Sequence, residues 1–359
     1  MKDSRSIKAV LDEMFAKNDT VFIVPHSRPD FDALGASIGM SLISKKCKKK
    51  CYIIIDDDIE KLDQSTRKVL GDIKGVFDII KSKDVPKVMG DSNLMITVDV
   101  NKDYLISEGT KKLLDSFNDI VILDHHKPDE HTIKTSHAFI DESLSSICEE
   151  ISRLMFLYGV KITPDCANYL LSGILLDTNK FTKNTSPSTF EVIAKLTQKG
   201  GDTAIASQLF LEDFEDDRKM LQIVNDVAFT NYGYAVAGGV DDLKRIYSVE
   251  DIAKAADYLL KYRVNATFAM GYIDEDTISV SARSKGMIDV SNIMAILGGG
   301  GHETSAAARI KGRTIKEVKQ ALNSLLVPGN YMGWNIEDIK EDIYKVIPEN
   351  KEVSLKLKK

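Results

Sequence analysis

The sequence is poor in several residue types at once. Its 359 residues include only four cysteines, Cys47, Cys51, Cys148 and Cys166. That is too few for a disulfide framework, so reduced thiols and a cytoplasmic location are expected. No run approaches the roughly 20 apolar residues of a membrane span. The longest apolar stretches, Met95–Val100 and Tyr169–Leu176, fit buried strands or helix segments. Met1–Thr20 is polar and mixed in charge, without the apolar centre of a signal peptide. Basic residues are also outnumbered: 48 Lys and Arg stand against 54 Asp and Glu, for a formal charge of -6. A protein that grips long nucleic acid by charge is usually more basic. Duplex DNA is therefore not an expected partner, whereas a small nucleotide stays open.

What is present alternates between two patterns. Val21–Pro25 is a short β-branched run that predicts a buried strand, and the small and aliphatic residues of Ala33–Ile43 predict a helix. Tyr52–Ile55, Leu94–Val98 and Asp119–Leu123 predict three more buried strands. Ile147, Ile151, Leu154, Met155 and Tyr158 recur on one face of a helix. Buried strands separated by helices imply a parallel sheet covered on both faces, with its site at the carboxyl ends of the strands. The expected fold class is α/β, with a parallel-sheet domain over 1–200 and a helical connector over 201–227. A smaller α/β domain over 228–328 follows from strands predicted at Tyr234–Val240, Ala266–Ile273 and Thr277–Ala282, with helices at Val249–Tyr262 and Thr314–Leu325. Residues 329–359, rich in Lys and Glu, predict a C-terminal helix and tail.

The acidic residues gather where these segments end. The first strand leads into His26, Asp30 and Asp32, the third into Asp99, and the fourth into Asp124, His125 and His126. Leu170–Leu176 ends at Asp177, which is counted with the strand ends. One Asp after a strand is ordinarily a turn former or an N-cap. Several at one sheet edge repel each other and need a cation to neutralise them. Mixed Asp and His ligands without paired cysteines suit Mn²⁺ or Mg²⁺ better than structural zinc. Two metals roughly 3.5–4 Å apart can share a carboxylate and activate a water for attack on phosphorus.

Gly298–Gly301, followed by His302, is either a hinge or a place where backbone amides approach a phosphate without a Cβ in the way. Arg283 reads equally as a phosphate or base contact and as a surface ion pair. The lysines of 45–50 read as a solvated helix end leading into a strand, and His131 and His137 as loop residues.

These motifs carry a resemblance. His-x3-Asp-x-Asp-Ala-x-Gly at 26–35, Asp99, the triplet Asp124-His125-His126, and Asp177 resemble the four motifs of the DHH phosphoesterase family. The run Gly298-Gly299-Gly300-Gly301-His302 resembles the glycine–histidine signature of that family's associated C-terminal domain. Ser281-Ala282-Arg283-Ser284 and Gly173–Phe181 are similar to the GdpP type of cyclic-di-AMP phosphodiesterase. No counterpart of that type's membrane helices, sensory domain or degenerate cyclase-like domain is recognised, so the likeness is to its catalytic half.

The resemblance implies an active site in the cleft between the two domains. It places His26, Asp30 and Asp99 on one metal, and Asp32, Asp99, His125 and Asp177 on the other, with Asp99 bridging. It makes Asp124 a group that orients a ligand. His126, Arg283, Gly299, Gly300, Gly301 and His302 would face the substrate. Two Mn²⁺ are expected, with Mg²⁺ or Co²⁺ as substitutes, and a cyclic or linear adenine dinucleotide as substrate. A homodimer is allowed. The leading expectation is hydrolysis of cyclic-di-AMP to linear pApA. A nanoRNase or pAp phosphatase and a sensor without turnover are the alternatives. Asn184 and Ser188 replace expected arginines, and Ile147 an expected threonine, departures that would shift preference toward linear dinucleotides.

Overall fold

The computed structural model describes residues 3–59, 62, 64–211, 214–239 and 245–326. The chain divides into two compact units, Met1–Leu211 and Glu212–Lys359. The tail expected over 329–359 and the expected strand end Val240 lie outside the described residues.

In the first unit, α1 (Ser4–Lys17) leads into β1 (Thr20–Val24), every residue of which is buried. Alternate residues feed opposite faces of the sheet: Val21 and Ile23 join one apolar cluster, Phe22 and Val24 another. That is why the run is continuously apolar. The helix α2 (Phe31–Lys46) follows, then β2 (Lys50–Ile54), α3 (Gln64–Ile73), β3 (Ile79–Ile80), the short α4 (Val85–Val88) and β4 (Asn93–Val98). Next come α5 (Glu108–Lys111), β5 (Asp119–Asp124), β6 (His137–Ile140), α6 (Ile147–Leu157), α7 (Pro164–Asp177), α8 (Pro187–Gln198) and α9 (Thr203–Gln208). The six strands are all parallel, in the order β3-β2-β1-β4-β5-β6. Helix α2 is buried on nearly every side, between the sheet and the pair α6 and α7.

Two expectations are corrected here. Leu170–Leu176 belongs to helix α7, not to a strand; its apolar residues pack inward from Pro at N1 with Thr163 as cap. His137 opens edge strand β6 instead of lying in a loop. The lysine-rich stretch does span the end of α2 and the start of β2.

The second unit contains α10 (Phe214–Val224), β7 (Val227–Phe229), β8 (Tyr234–Gly238), α11 (Val249–Leu259), β9 (Ala266–Tyr272) and β10 (Thr277–Ser284). It continues with α12 (Val290–Ile296), β11 (Gly300–His302), β12 (Ser305–Lys311) and α13 (Ile315–Leu325). Its six-stranded sheet has the order β11-β12-β10-β9-β8-β7 and is antiparallel except for the β8–β9 pair. Phe268, Met270 and Val280 pack against α12 and α13 on one face, while Ala235, Ala237 and Ala269 meet α10 and α11 on the other. The segment 202–227 is shared: α9 packs on α7 in the first unit, and α10 on α11 in the second.

Candidate metal centre

The order of the first sheet reverses at β1, with β2 on one side and β4 on the other. A parallel sheet opens a crevice at such a switch point, outside the carboxyl ends of its strands. His26 follows β1 there, Asp99 follows β4, and Asp124 is the last residue of β5, with His125 and His126 next. Asp30 is the N-cap of α2, its Oδ1 accepting from the amides of Asp32 at 2.9 Å and Ala33 at 3.1 Å. Asp32, in the first turn of α2, is fully buried. It accepts from the amides of Ile147 at 2.7 Å and Cys148 at 2.8 Å. Those are the opening amides of α6, whose dipole favours an anion. Asp177 arrives from the C-terminal end of α7, not from a strand end.

All six residues predicted as metal ligands meet at this edge. His26 Nε2 lies 3.7 Å from Asp30 Oδ1 and 3.6 Å from Asp99 Oδ2. His125 Nε2 lies 3.1 Å from Asp177 Oδ2, 3.4 Å from Asp99 Oδ1 and 3.9 Å from Asp32 Oδ2. Donor atoms of His26, Asp30 and Asp99 all lie within 4.8 Å of one another, as do those of Asp32, His125 and Asp177. Asp99 adopts φ 57°, in the left-handed region that Asp enters more readily than most non-glycine residues. Its amide is tied to Leu123 O at 3.0 Å. Asp99 Oδ1 and His125 Nε2 are both buried and lack a hydrogen-bond partner. Buried polar atoms are nearly always satisfied, and two such atoms facing one gap fit a cation that both would bind.

The electrostatics point the same way. Burial alone would lower the pKa of His26 and His125, yet the carboxylates around them push both up to about 11. Burial and the negative charge of Asp99 and Asp177 hold Asp32 well above the usual carboxylate range, and burial likewise raises Asp177. Asp99 goes the other way: burial opposes ionisation, but its contacts with His125 and His26 outweigh that. The cluster thus draws in positive charge wherever it can. Cys148 lies behind Asp32, its Sγ 3.3 Å from Asp32 O, and burial raises its thiol well above the ordinary range. It is not a thiolate ligand. The oxygen and imidazole donors that remain fit Mn²⁺ or Mg²⁺.

Asp124 is fully buried and holds the turn that follows it. Its Oδ1 accepts from the amides of His125 at 2.7 Å and His126 at 3.2 Å and contacts His126 Nδ1 at 2.9 Å. Its effect on the His125 ring is therefore through the backbone, whereas its side-chain contact is with His126. A cavity of about 220 Å³ opens beside the cluster, lined by His26, Asp99, His126 and Asp177. Asn101, Lys102 and Leu105 also line it. No motif pointed to that segment. The one available signal was a polar break straight after an apolar strand.

The candidate residues of the second unit are at and near its edge strand. Gly300–His302 forms β11, paired antiparallel with Ala307, Ala306 and Ser305. This changes the reading of the glycine run. A Cβ on Gly301, at φ 147°, would lie 2.5 Å from Ala306 Cα, and one on Gly299 would strike Ala307 O. Those two glycines are required by the hairpin itself, while Gly300 faces open space. Arg283 donates from Nε to Asp257 Oδ1 at 2.8 Å, an ion pair in which Asp257 is exposed. Among the departures, Ser188 accepts from Arg153 Nη2 at 2.7 Å, so a guanidinium does stand beside it, supplied by α6. Ile147 is buried in the core, and Asn184 sits at φ 51° on an exposed turn.

Residues 20–174 match the DHH family N-terminal domain, and residues 231–327 match the DHHA1 domain. The chain is 32% identical over 331 residues to the cyclic-di-AMP phosphodiesterase GdpP of Geobacillus thermodenitrificans, covering 90% of this chain and 49% of that protein. It therefore spans about half the length of that relative. It is 25% identical over 350 residues to the bifunctional oligoribonuclease and PAP phosphatase NrnA of Thermus thermophilus, covering 91% of this chain and 96% of that protein. Its fold is shared with an exopolyphosphatase-related protein of Bacteroides fragilis, at a TM-score of 0.67 and 21% identity, over 89% of this chain and 96% of that one. No helix among the described residues is long and apolar enough to cross a membrane. With both domains matched in order and the motif residues gathered at one sheet edge, the chain belongs to the DHH family.

Proposed function

We propose that the chain is a divalent-metal-dependent phosphodiesterase that hydrolyses cyclic-di-AMP to linear pApA. The observation that carries the reading is Asp99. Its one carboxylate lies between His26 and Asp30 on one side and His125 on the other, with Oδ1 left bare. In this reading His26, Asp30 and Asp99 hold one cation, and Asp32, Asp99, His125 and Asp177 a second. Two such cations would supply Lewis acidity at the phosphodiester oxygens and a water acidified for attack on phosphorus. The protein's own part is positional. The amides of α6 fix Asp32, the α2 N-terminus fixes Asp30, and Asp124 holds His126 toward the cavity. No side-chain nucleophile is required, and the cysteines are buried or remote from the cavity wall. On the second unit, the exposed Gly300 and His302 and the nearby Arg283 are the proposed anion contacts.

The substrate assignment draws on the 32% identity to a cyclic-di-AMP phosphodiesterase. A second reading, cleavage of short linear oligonucleotides or of phosphoadenosine phosphate, is favoured by one observation. The chain is matched along nearly the whole length of an oligoribonuclease and PAP phosphatase. The deciding experiment supplies purified protein and Mn²⁺ with cyclic-di-AMP, linear pApA and phosphoadenosine phosphate in parallel. Turnover of cyclic-di-AMP at a rate at least comparable to the others is expected. Rapid turnover of the linear substrates alone would replace the first reading with the second.

A further inference from the structure

Asn101 stands two residues after Asp99 and is 1% exposed. Its Nδ2 donates to Asp124 Oδ2 at 2.5 Å and to His126 O at 2.8 Å. Both partners are acceptors only, so the amide must turn its NH₂ group to them. Oδ1 is then left buried without a partner. A bare buried acceptor is costly, and a side chain selected for packing alone would not carry one. What the two donated bonds hold is the turn Asp124–His126. Asp124 Oδ1 grips that turn from within, through two amides and the His126 ring. Asn101 grips the other carboxylate oxygen and the carbonyl that closes the turn. Asn101 is itself anchored, its carbonyl accepting from Ile133 N at 2.8 Å. His126 Nδ1 is thereby committed to Asp124. The His126 side chain is 56% exposed and lines the same cavity as Asp99 and Asp177, so Nε2 is the ring atom left to meet a ligand there.

We infer that Asn101 is a positioning residue that fixes the His126 ring, through Asp124 and the His126 carbonyl, so that Nε2 meets the phosphodiester. The inference rests on the phosphodiesterase reading above. Asn101 makes no contact with the reacting atoms and takes no proton. Its removal lets the ring rotate, which costs rate by misplacing a contact and leaves ground-state binding largely in place.

The test is a double-mutant cycle with a spectroscopic readout. In Mg²⁺-loaded protein, the ring Nδ1–H of His126 should give a protected downfield proton signal that His126→Gln removes. Asn101→Ala should broaden or abolish that signal and lower kcat about 10–100-fold, the range for partners that orient a functional group. KM should stay within about threefold. In the His126→Gln background, Asn101→Ala should cost less than about twofold more, because the two residues act through one ring. Asn101→Ser, which keeps one donor, should fall between. Additive losses in the double variant, or an intact signal and kcat in Asn101→Ala, would overturn the inference. So would loss of the fold in both Asn101 variants by circular dichroism, which would assign the residue to stability. If the wild type hydrolyses no phosphodiester, the functional reading fails, and the ring signal alone still decides whether Asn101 holds His126.

Discussion

Gly173, in the middle of α7, links the packing of the first unit to its metal centre. A Cβ built there would lie 2.5 Å from Cys148 Sγ, 2.7 Å from Asp32 Oδ1 and 2.9 Å from Asp32 Cα. Ordinary contacts are about 3.5–4.0 Å, so in Gly173→Ala the helices must part by roughly 1 Å. One of the three neighbours is backbone, which cannot swing aside. Overpacking of this kind costs about 1–3 kcal/mol. The shift also loosens the two amide bonds that α6 donates to Asp32, each worth about 1.5–3 kcal/mol when the acceptor is charged. The better helix propensity of Ala returns about 1 kcal/mol. With the amide bonds only partly lost, the net is about 2–4 kcal/mol. For a unit of this size that corresponds to a melting temperature lowered by roughly 5–15 °C. Because Asp32 is displaced, Mn²⁺ affinity should fall as well. Calorimetric melting with and without Mn²⁺, and a direct Mn²⁺ titration, read both effects. A variant that melts like the wild type and binds Mn²⁺ equally would refute the claim that Asp32 is seated against this glycine.

Four further outcomes are expected. Mn²⁺ at about 100 times its Kd should stabilise the wild type by about 2.7 kcal/mol per bound ion, and Asp99→Asn, which strips the shared carboxylate from both clusters, should show no Mn²⁺-dependent melting shift; a retained shift would sink the bridging role. His26 and His125 are held up to about 11 without metal, so at pH 8 both are protonated and must lose a proton to ligate. Mn²⁺ binding in buffers of different ionisation enthalpy should then report release of at least one proton per ion bound, two for the pair, and binding without proton release would contradict it. The same two raised imidazoles bind more protons in the metal-free fold than in the unfolded chain from about pH 6.5 to 11, so their stabilising contribution should decline across that window. In the second unit, Gly300→Ala should leave the melting temperature unchanged, whereas Gly301→Ala, at φ 147° and against Ala306, should lower it; equal behaviour of the two would contradict the hairpin account of the glycine run.

Much of the site was legible in the sequence because its residues follow short apolar strands. Val21–Pro25, Leu94–Val98 and Asp119–Leu123 are short apolar runs that fit a doubly covered parallel strand, and the observed strands fall within a residue or so of them. Such strands carry whatever follows them to one edge, so His26, Asp99 and the Asp124–His126 triplet meet there. Asp177 closes a helix and not a strand, which the sequence does not reveal because the seven-residue apolar run Leu170–Leu176 looks alike in a strand and in a buried helix. Gly300–His302 reads in the sequence as a hinge or a phosphate contact and not as a strand, because glycine has no strand preference and the pairing depends on Ser305–Ala307 opposite.

The sequence alone determined which side chains could bind a cation and that His26, Asp99 and the Asp124–His126 triplet directly follow buried strands, since a short apolar run and the residues after it are local features. Only the tertiary structure decided how they are held. Asp32 is fixed by amides of α6, more than a hundred residues away. Asp99 is left with one oxygen bare, and Asn101 is drawn under the Asp124–His126 turn. Those arrangements depend on where a distant helix end or carbonyl comes to rest. That position is set by packing across the whole unit and by the need to satisfy buried polar groups, neither of which leaves a spacing in the sequence.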